Sequence, residues 1–328
     1  MNRLAAALIT ATLLLQACAA NAFDLQGHRG TRGLAPENTL ASFARALAIG
    51  VNTLETDIAI TRDGVLVLSH DPALNPDITR GADGRFLASR GPVIHHTRFD
   101  EVRRFDVGRI KPGTRYAAQF PDQMPVDGAR LPTLAELFAL VKKSGNSEVR
   151  FDLETKLTPG APGDTLPPEA FARALIAAIR EAGLAARCTI QSFDWRTLQV
   201  VQREAPEIAT AYLSAQQRWL DNIGAGNGAA SPWTAGFKYS DHGSVPKMIR
   251  AAGGKVWSAH FADLDAAQVA EAHALGLQVL AWTVNEPAQM ERMIDIGVDG
   301  LITDRADRAR EVMQKRGLPL PRSTPVGP

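Results

Sequence analysis

The 328-residue chain is 45% hydrophobic and 22% charged, a globular balance that excludes bulk disorder. A formal net charge of +1 excludes a nucleic-acid-binding field and a polybasic membrane patch, so attraction for an anionic ligand must be local. Length allows one domain or two, because parallel barrels of about 250 residues or more fold as single units.

Residues 1–22 read as an export signal. Arg3 gives a positive start, Leu4 to Leu15 an apolar run, and Ala20-Asn21-Ala22 a small-x-small cleavage site. Twelve residues are too few to span a bilayer as a helix, so no transmembrane segment is expected in the mature protein. The competing reading is a lipoprotein site, Leu15-Gln16-Ala17-Cys18, which would anchor the chain through Cys18. Cleavage after Ala22 leaves 328 − 22 = 306 residues with Cys188 as the one cysteine, which excludes an intrachain disulfide and a thiol metal site. The expected address is periplasmic or secreted, and soluble.

From Leu25 onward, short β-type runs alternate with amphipathic helical runs. Strands are predicted at 25–28, 53–60, 149–154, 188–192, 209–213, 255–259, 278–283 and 300–303. Helices are predicted at 40–49, 134–143, 168–182, 195–205, 245–252, 266–275, 287–296 and 306–315. Leu40, Phe43, Ala44 and Leu47 recur at helical spacing behind Asn38 and Thr39, which are natural N-caps. Pro168 suits a first helical turn, and Gly183 a C-cap. Eight strands alternating with eight helices predict an α/β fold, the TIM (β/α)8 barrel.

One departure follows the second strand. Arg62-Asp63-Gly64 is a tight-turn signal leading into a short strand over 65–69, which delivers His70 beside the end of strand two. Residues 72–131 then form an insertion with six glycines and six prolines, too broken for one continuous helix, although 100–105 could form a short one. Phe86, Phe99, Phe105, Tyr116 and Phe120 give it apolar area enough to fold down, so it is read as a cap over the mouth. Residues 214–244 read as a long loop and 317–328 as a frayed tail, with the barrel domain over 23–316.

Chemistry-bearing residues fall where apolar runs end. Gly27-His28-Arg29-Gly30 sets two cationic side chains between glycines that permit close approach to an anion. Glu55 and Asp57 share one strand face, and Glu154 ends strand three. Crowded carboxylates need a neutralising cation, and three hard oxygens without a thiol suit Ca²⁺ or Mg²⁺; arginines on the barrel rim are the other partners these residues allow. His28 and His70 could serve as general acid and base. Arg29 and Lys156 are fixed cations suited to a phosphoryl group. His95, His96, His242 and His273 read as packing or surface residues, while His260 ends strand six and stays open. Phe193 and Trp282 read from their positions as core.

Together, Gly27-His28-Arg29-Gly30, Pro36-Glu37-Asn38-Thr39, Glu55-Thr56-Asp57, His70-Asp71, Glu154-Thr155-Lys156 and Trp282-Thr283-Val284-Asn285 resemble the glycerophosphodiester phosphodiesterase family. Phe105-Asp106-Val107-Gly108 and Leu131-Pro132-Thr133-Leu134 also resemble its spacers. The resemblance spans 25–303. It implies a TIM barrel that hydrolyses small-molecule glycerophosphodiesters to sn-glycerol 3-phosphate and an alcohol. It further implies a divalent cation on Glu55, Asp57 and Glu154, and His28 with His70 as the acid–base pair. Arg29 and Lys156 would touch phosphate, and Trp282 would line the glycerol side. Asp152 and Thr155 depart from the family's apolar preference at those positions. A phospholipase C-like enzyme acting on intact lipid, and a non-catalytic phosphodiester- or polyol-binding barrel, are the alternatives. The sequence leaves oligomeric state open.

Overall fold

The computed structural model describes residues 23–226 and 228–328; the predicted export signal, with Cys18, lies outside the described residues. Eight parallel strands close into a barrel: β1 (Asp24–Gly27), β2 (Thr53–Ile60), β3 (Arg150–Thr155), β4 (Cys188–Ser192), β5 (Ala209–Ser214), β6 (Val256–His260), β7 (Gln278–Trp282) and β8 (Gly300–Thr303). Closure is made by β1, which pairs with β8 on one side and β2 on the other. The crossover helices are α1 (Leu40–Ile49), α2 (Leu134–Lys143), α3 (Pro168–Glu181), α4 (Trp195–Glu204), α5 (Val245–Ala251), α6 (Ala266–Ala274), α7 (Pro287–Asp295) and α8 (Ala306–Lys315). Each element lies within one residue of its predicted bounds. No described helix is long and apolar enough to cross a membrane.

Period-two alternation sorts the strand residues. Leu25, Leu54, Phe151, Leu153 and Ile190 face outward, fully or almost fully buried under Phe43, Leu47, Leu137 and Leu175 of the helices. The inward set is polar instead, including Gln26, Glu55, Asp57, Asp152, Glu154 and Gln191, all buried. Local caps fix the helix starts: Thr39 Oγ1 accepts from Ser42 N at 3.2 Å, and Thr133 with Glu136 forms a capping box over α2.

Strand β1 meets β2 at Gln26↔Thr53 and Gly27↔Leu54. The upper half of β2 is thereby open to the short strand Leu66–Leu68, which runs antiparallel along Ile58–Ile60. The turn predicted at 62–64 forms there, with Gly64 at φ 84°. The chain of β1, released from the wall, folds inward as Gly27-His28-Arg29-Gly30. Both glycines are sterically required: a Cβ on Gly27 would stand 2.1 Å from Gly30 O, and one on Gly30, at φ 86°, 2.5 Å from Ser42 Oγ.

The insertion folds onto the barrel rim around a second small core of Ala59, Val67, Leu74, Ile94, Val102, Val107 and Leu131. Its short helices are Phe99–Val102, near the predicted segment, and Arg115–Gln119, which no helical period announces. Two expectations are corrected. The loop over 214–244 carries a hairpin, Gln216–Gln217 against Leu220–Asp221, and a short helix, Tyr239–His242. The tail does not fray. Thr324 is buried, its N–H donates to Leu47 O at 2.8 Å, and its hydroxyl accepts from Asn146 Nδ2 at 3.1 Å.

Candidate active site

The ends of the barrel strands surround a cavity of 760 Å³. His28, Arg29, Glu55, His70, Glu154, Lys156 and Trp282 all line it. Asp57 is fully buried beneath them. The strand-end rule therefore brings every predicted site residue together.

Glu55, Asp57 and Glu154 offer ligand oxygens that all lie within 4.8 Å of one another. Glu55 Oε2 accepts from Arg29 N–H at 2.8 Å, and Oε1 from Gln191 Nε2 at 3.0 Å. Asp57 Oδ2 accepts from Asn38 Nδ2 at 2.9 Å, while its buried Oδ1 has no hydrogen-bond partner. Lys156 Nζ lies 2.7 Å from Glu154 Oε1 and 3.6 Å from Asp57 Oδ1. The Arg29 guanidinium pairs with Glu37 at 2.9 Å and with Asp57 at 3.2 Å. Counted as ionised, four buried carboxylates (Glu37, Glu55, Asp57, Glu154) face two directly paired cations, Arg29 and Lys156, a formal surplus of 4 − 2 = 2 negative charges.

That surplus shows in the protonation preferences. Burial, then Asp57 and Glu154, push the Glu55 carboxyl well above its ordinary range. Burial raises Glu154 to about 7 against the pull of Lys156. Asp57 resists: burial pushes it up, but Arg29 and Lys156 outweigh that and hold it far below the usual carboxylate range. A cluster of hard oxygens with two charges uncompensated and one buried oxygen orphaned is chemically suited to a divalent cation.

The histidines stand on either flank. His28 Nδ1 lies 2.6 Å from Asp304 Oδ1, and its Nε2 is 3.9 Å from Glu55 Oε2. Asp304 is itself fixed by Arg32, at 2.9 and 3.1 Å, and by Asn285 Nδ2 at 2.8 Å. Burial pushes Asp304 up, but Arg32 and His28 hold it far below its usual value, so it stays ionised. An ionised acceptor on Nδ1 fixes the tautomer that leaves Nε2 as the free base. Burial, with Arg32 and Arg29, lowers His28 to about 4 and keeps the imidazole neutral at neutral pH. His70 Nδ1 lies 2.8 Å from Asp71 Oδ1, its side chain 35% exposed. Partial burial, Arg29 and Lys156 pull its pKa down.

Several members escaped the sequence reading. Asp304 directly follows β8, so the strand-end rule that found Glu154 would also have found it. Glu37 and Asn38 lie in the Pro36–Thr39 motif, which names no partner for either. Asn38 binds Asp57 and accepts from Thr56 Oγ1 at 2.8 Å, in a left-handed conformation at φ 53°. Tyr116 of the insertion hydrogen-bonds Glu37 and accepts from Arg32 Nη1 at 3.3 Å; no sequence signal marked it. Of the remaining histidines only His260 lines the cavity. His95, His96 and His273 bond to Ile60 O, Gly163 O and Asp299, and His242 packs by Phe237.

Comparisons with known proteins agree with this geometry. The model of the glycerophosphoryl diester phosphodiesterase family matches residues 28–308. A glycerophosphodiester phosphodiesterase of Caldanaerobacter subterraneus subsp. tengcongensis is 28% identical over 297 residues, covering 88% of this chain and 97% of that protein. A crystal structure from Silicibacter pomeroyi DSS-3, assigned to the glycerophosphoryl diester phosphodiesterases, is 35% identical with a TM-score of 0.80, covering 91% of this chain and 95% of that one. An Oleispira antarctica phosphodiesterase, solved in complex with the product sn-glycerol-3-phosphate, shares the fold at 23% identity and a TM-score of 0.64, covering 89% of this chain and 97% of that one. With the family match running from His28 past Asp304, this chain belongs to the glycerophosphoryl diester phosphodiesterase family and is an enzyme of that class.

Proposed function

We propose that this enzyme hydrolyses glycerophosphodiesters to sn-glycerol 3-phosphate and an alcohol, with a divalent cation, Ca²⁺ or Mg²⁺, on Glu55, Asp57 and Glu154. The observation that carries the proposal is the convergence of this charge-rich carboxylate triad with two carboxylate-held histidines in one cavity. The product named for the Oleispira antarctica enzyme supports it. The cation would supply charge withdrawal from the phosphoryl oxygens.

The chain's own groups do the rest. One neutral imidazole accepts the proton of the nucleophile, either water or the substrate's 2-hydroxyl. The other histidine, which takes up a proton as the phosphodiester anion binds beside it, delivers that proton to the departing alkoxide, and water completes the balance to phosphate monoester plus alcohol. Asp304 and Asp71 orient the two rings. Lys156 and Arg29 stabilise negative charge that builds on the phosphoryl group, and Trp282 gives the glycerol an apolar wall. The insertion, which brings Gln119 to the cavity wall, restricts the mouth to compact diesters rather than membrane lipid. Residues 1–22 direct the enzyme to an exported compartment.

Product analysis with purified protein tests the reading. Phosphate monoester and free alcohol should appear from a panel of glycerophosphodiesters, and a chelator should abolish turnover until the metal is restored. Turnover unchanged by the chelator, or no product from any diester, would overturn it.

A further inference from the structure

On the side of the cavity away from the carboxylates, two rings that the reaction above leaves without a role, Trp219 and His260, meet the far side of Trp282. Trp219 sits at the tip of the hairpin in residues 216–221, a two-residue turn with Arg218. Its ring centroid lies 5.6 Å from His260 and 6.2 Å from Trp282, and His260 lies 5.2 Å from Trp282. The planes meet at 73–77°, so the three rings form a corner rather than a flat stack. All three line the cavity, whereas Arg218 does not.

The corner is built, not incidental. Gln216 N–H donates to Asp263 Oδ2 at 2.8 Å, and Gln217 Nε2 bonds the other oxygen, pinning the hairpin to the turn that follows β6. Trp219 remains 62% exposed despite this anchoring. An exposed indole held at a fixed place contributes little to folding, but in the wall of this cavity it offers a face to whatever enters. The Trp282 indole N–H is already donated to Ser258 O at 3.0 Å, so its ring offers its faces. His260 is kept towards the neutral form by burial, and Asp263 places a carboxylate beside it. Electron-rich ring faces with a carboxylate behind them suit a weakly hydrated cation.

A lipid acyl chain fits less well. Among the described residues, the exposed large apolar side chains are Met124, Val126, Trp219 and Leu320, and of these Trp219 alone lines the cavity. One indole is not an apolar rim. Trp282 also divides the cavity. Its other side meets Phe193 at 5.3 Å, whose ring in turn lies 5.9 Å from Lys156 Nζ, nearer the reacting phosphate.

We propose that Trp219, His260 and Trp282 form a subsite for a quaternary ammonium group on the departing alcohol, so that the enzyme selects trimethylammonium (choline-type) diesters over primary ammonium (ethanolamine-type) ones. The proposal rests on the phosphodiesterase reading above. A trimethylammonium group presents a diffuse, poorly hydrated charge to the ring faces, while a primary ammonium keeps its water and finds no acceptor among the three rings.

The test compares kcat/KM for glycerophosphocholine and glycerophosphoethanolamine in the intact enzyme, Trp219→Ala and Trp219→Phe. The intact enzyme should favour the choline ester by about tenfold, and Trp219→Ala should remove most of that ratio through KM. Trp219→Phe, which keeps a ring face, should restore most of it. An equal fall on both esters, or a ratio untouched by Trp219→Ala, overturns the proposal. So does faster hydrolysis of phosphatidylcholine vesicles than of glycerophosphocholine. If neither ester is turned over, the phosphodiesterase reading fails, and quenching of indole fluorescence by choline chloride still decides the subsite. Quenching that is stronger than with ethanolamine and weakened in Trp219→Ala supports it; equal quenching by both amines contradicts it.

Discussion

The two ends of the barrel hold the same kind of side chain on different terms. At the carboxyl ends of the strands, Glu55, Asp57 and Glu154 are crowded together but surrounded by Arg29, Lys156, Asn38 and Gln191. At the amino ends, Asp24 pairs with Arg150 at 2.8 Å and accepts from Thr53 Oγ1 at 2.8 Å. Two residues along β3 from Arg150, Asp152 is fully buried with neither carboxylate oxygen hydrogen-bonded. Burial, then Asp24 and Glu154, push its carboxyl well above the usual range. One end is an organised cluster whose carboxylates formally outnumber their cations by two. The other holds a buried acid with no cation in contact, held towards its neutral form. It is the arrangement of the buried carboxylates, not burial itself, that suits one end and not the other to hold a cation.

Substitutions at the organised end should have the largest effects. His28→Ala and His70→Ala should each lower kcat by roughly 10²–10⁴-fold, with the melting temperature nearly unchanged. The double variant should lose less than the product of the two losses, because the proposed reaction uses both groups in one transition state. Asp304→Asn removes the ionised acceptor that sets the His28 tautomer, and kcat should fall by about 10²-fold, the low end for a displaced proton-transfer group. Near-normal turnover in either histidine variant would dissolve the distinction between the two ends.

Much of this organisation is legible in the sequence, for physical reasons that also mark where legibility ends. Period-two and period-3.6 patterns specify which face of each strand and helix is buried, so all eight crossover units can be placed. Glycines flanking His28-Arg29 report a turn that a Cβ would block. Pairings between distant residues carry no such pattern. The motif that reads Arg29 as a phosphate ligand carries no sign of its carboxylate partners, Glu37 and Asp57. The 216–221 hairpin has two-residue strands, too short for any period to register. The tail from 317 looks like a frayed end by its prolines, but it is held by hydrogen bonds to other elements, Arg310 Nη1 to Pro321 O at 2.6 Å among them.

At the opposite end the expected effects are structural and smaller. Deleting 318–328 removes the buried Thr324 contacts with Leu47 and Asn146 and should cost about 1–3 kcal/mol, seen as a lower melting temperature with kcat unchanged for the folded fraction. Asp152→Asn should be mildest of all. It keeps the shape, removes the acid that must stay protonated when buried, and should leave activity within about twofold while holding or raising the melting temperature. A large loss of activity in Asp152→Asn would mean that the two ends work as one site.

The central claim, that the carboxylate triad is a divalent cation site, is tested most directly by calorimetric titration of chelator-stripped enzyme with Mg²⁺ and with Ca²⁺. The arrangement predicts one saturable site in the intact protein, and loss of that site in Glu55→Gln with the circular dichroism spectrum unchanged. Binding of the same stoichiometry and affinity in Glu55→Gln, or no binding of either ion to the intact protein, would contradict it.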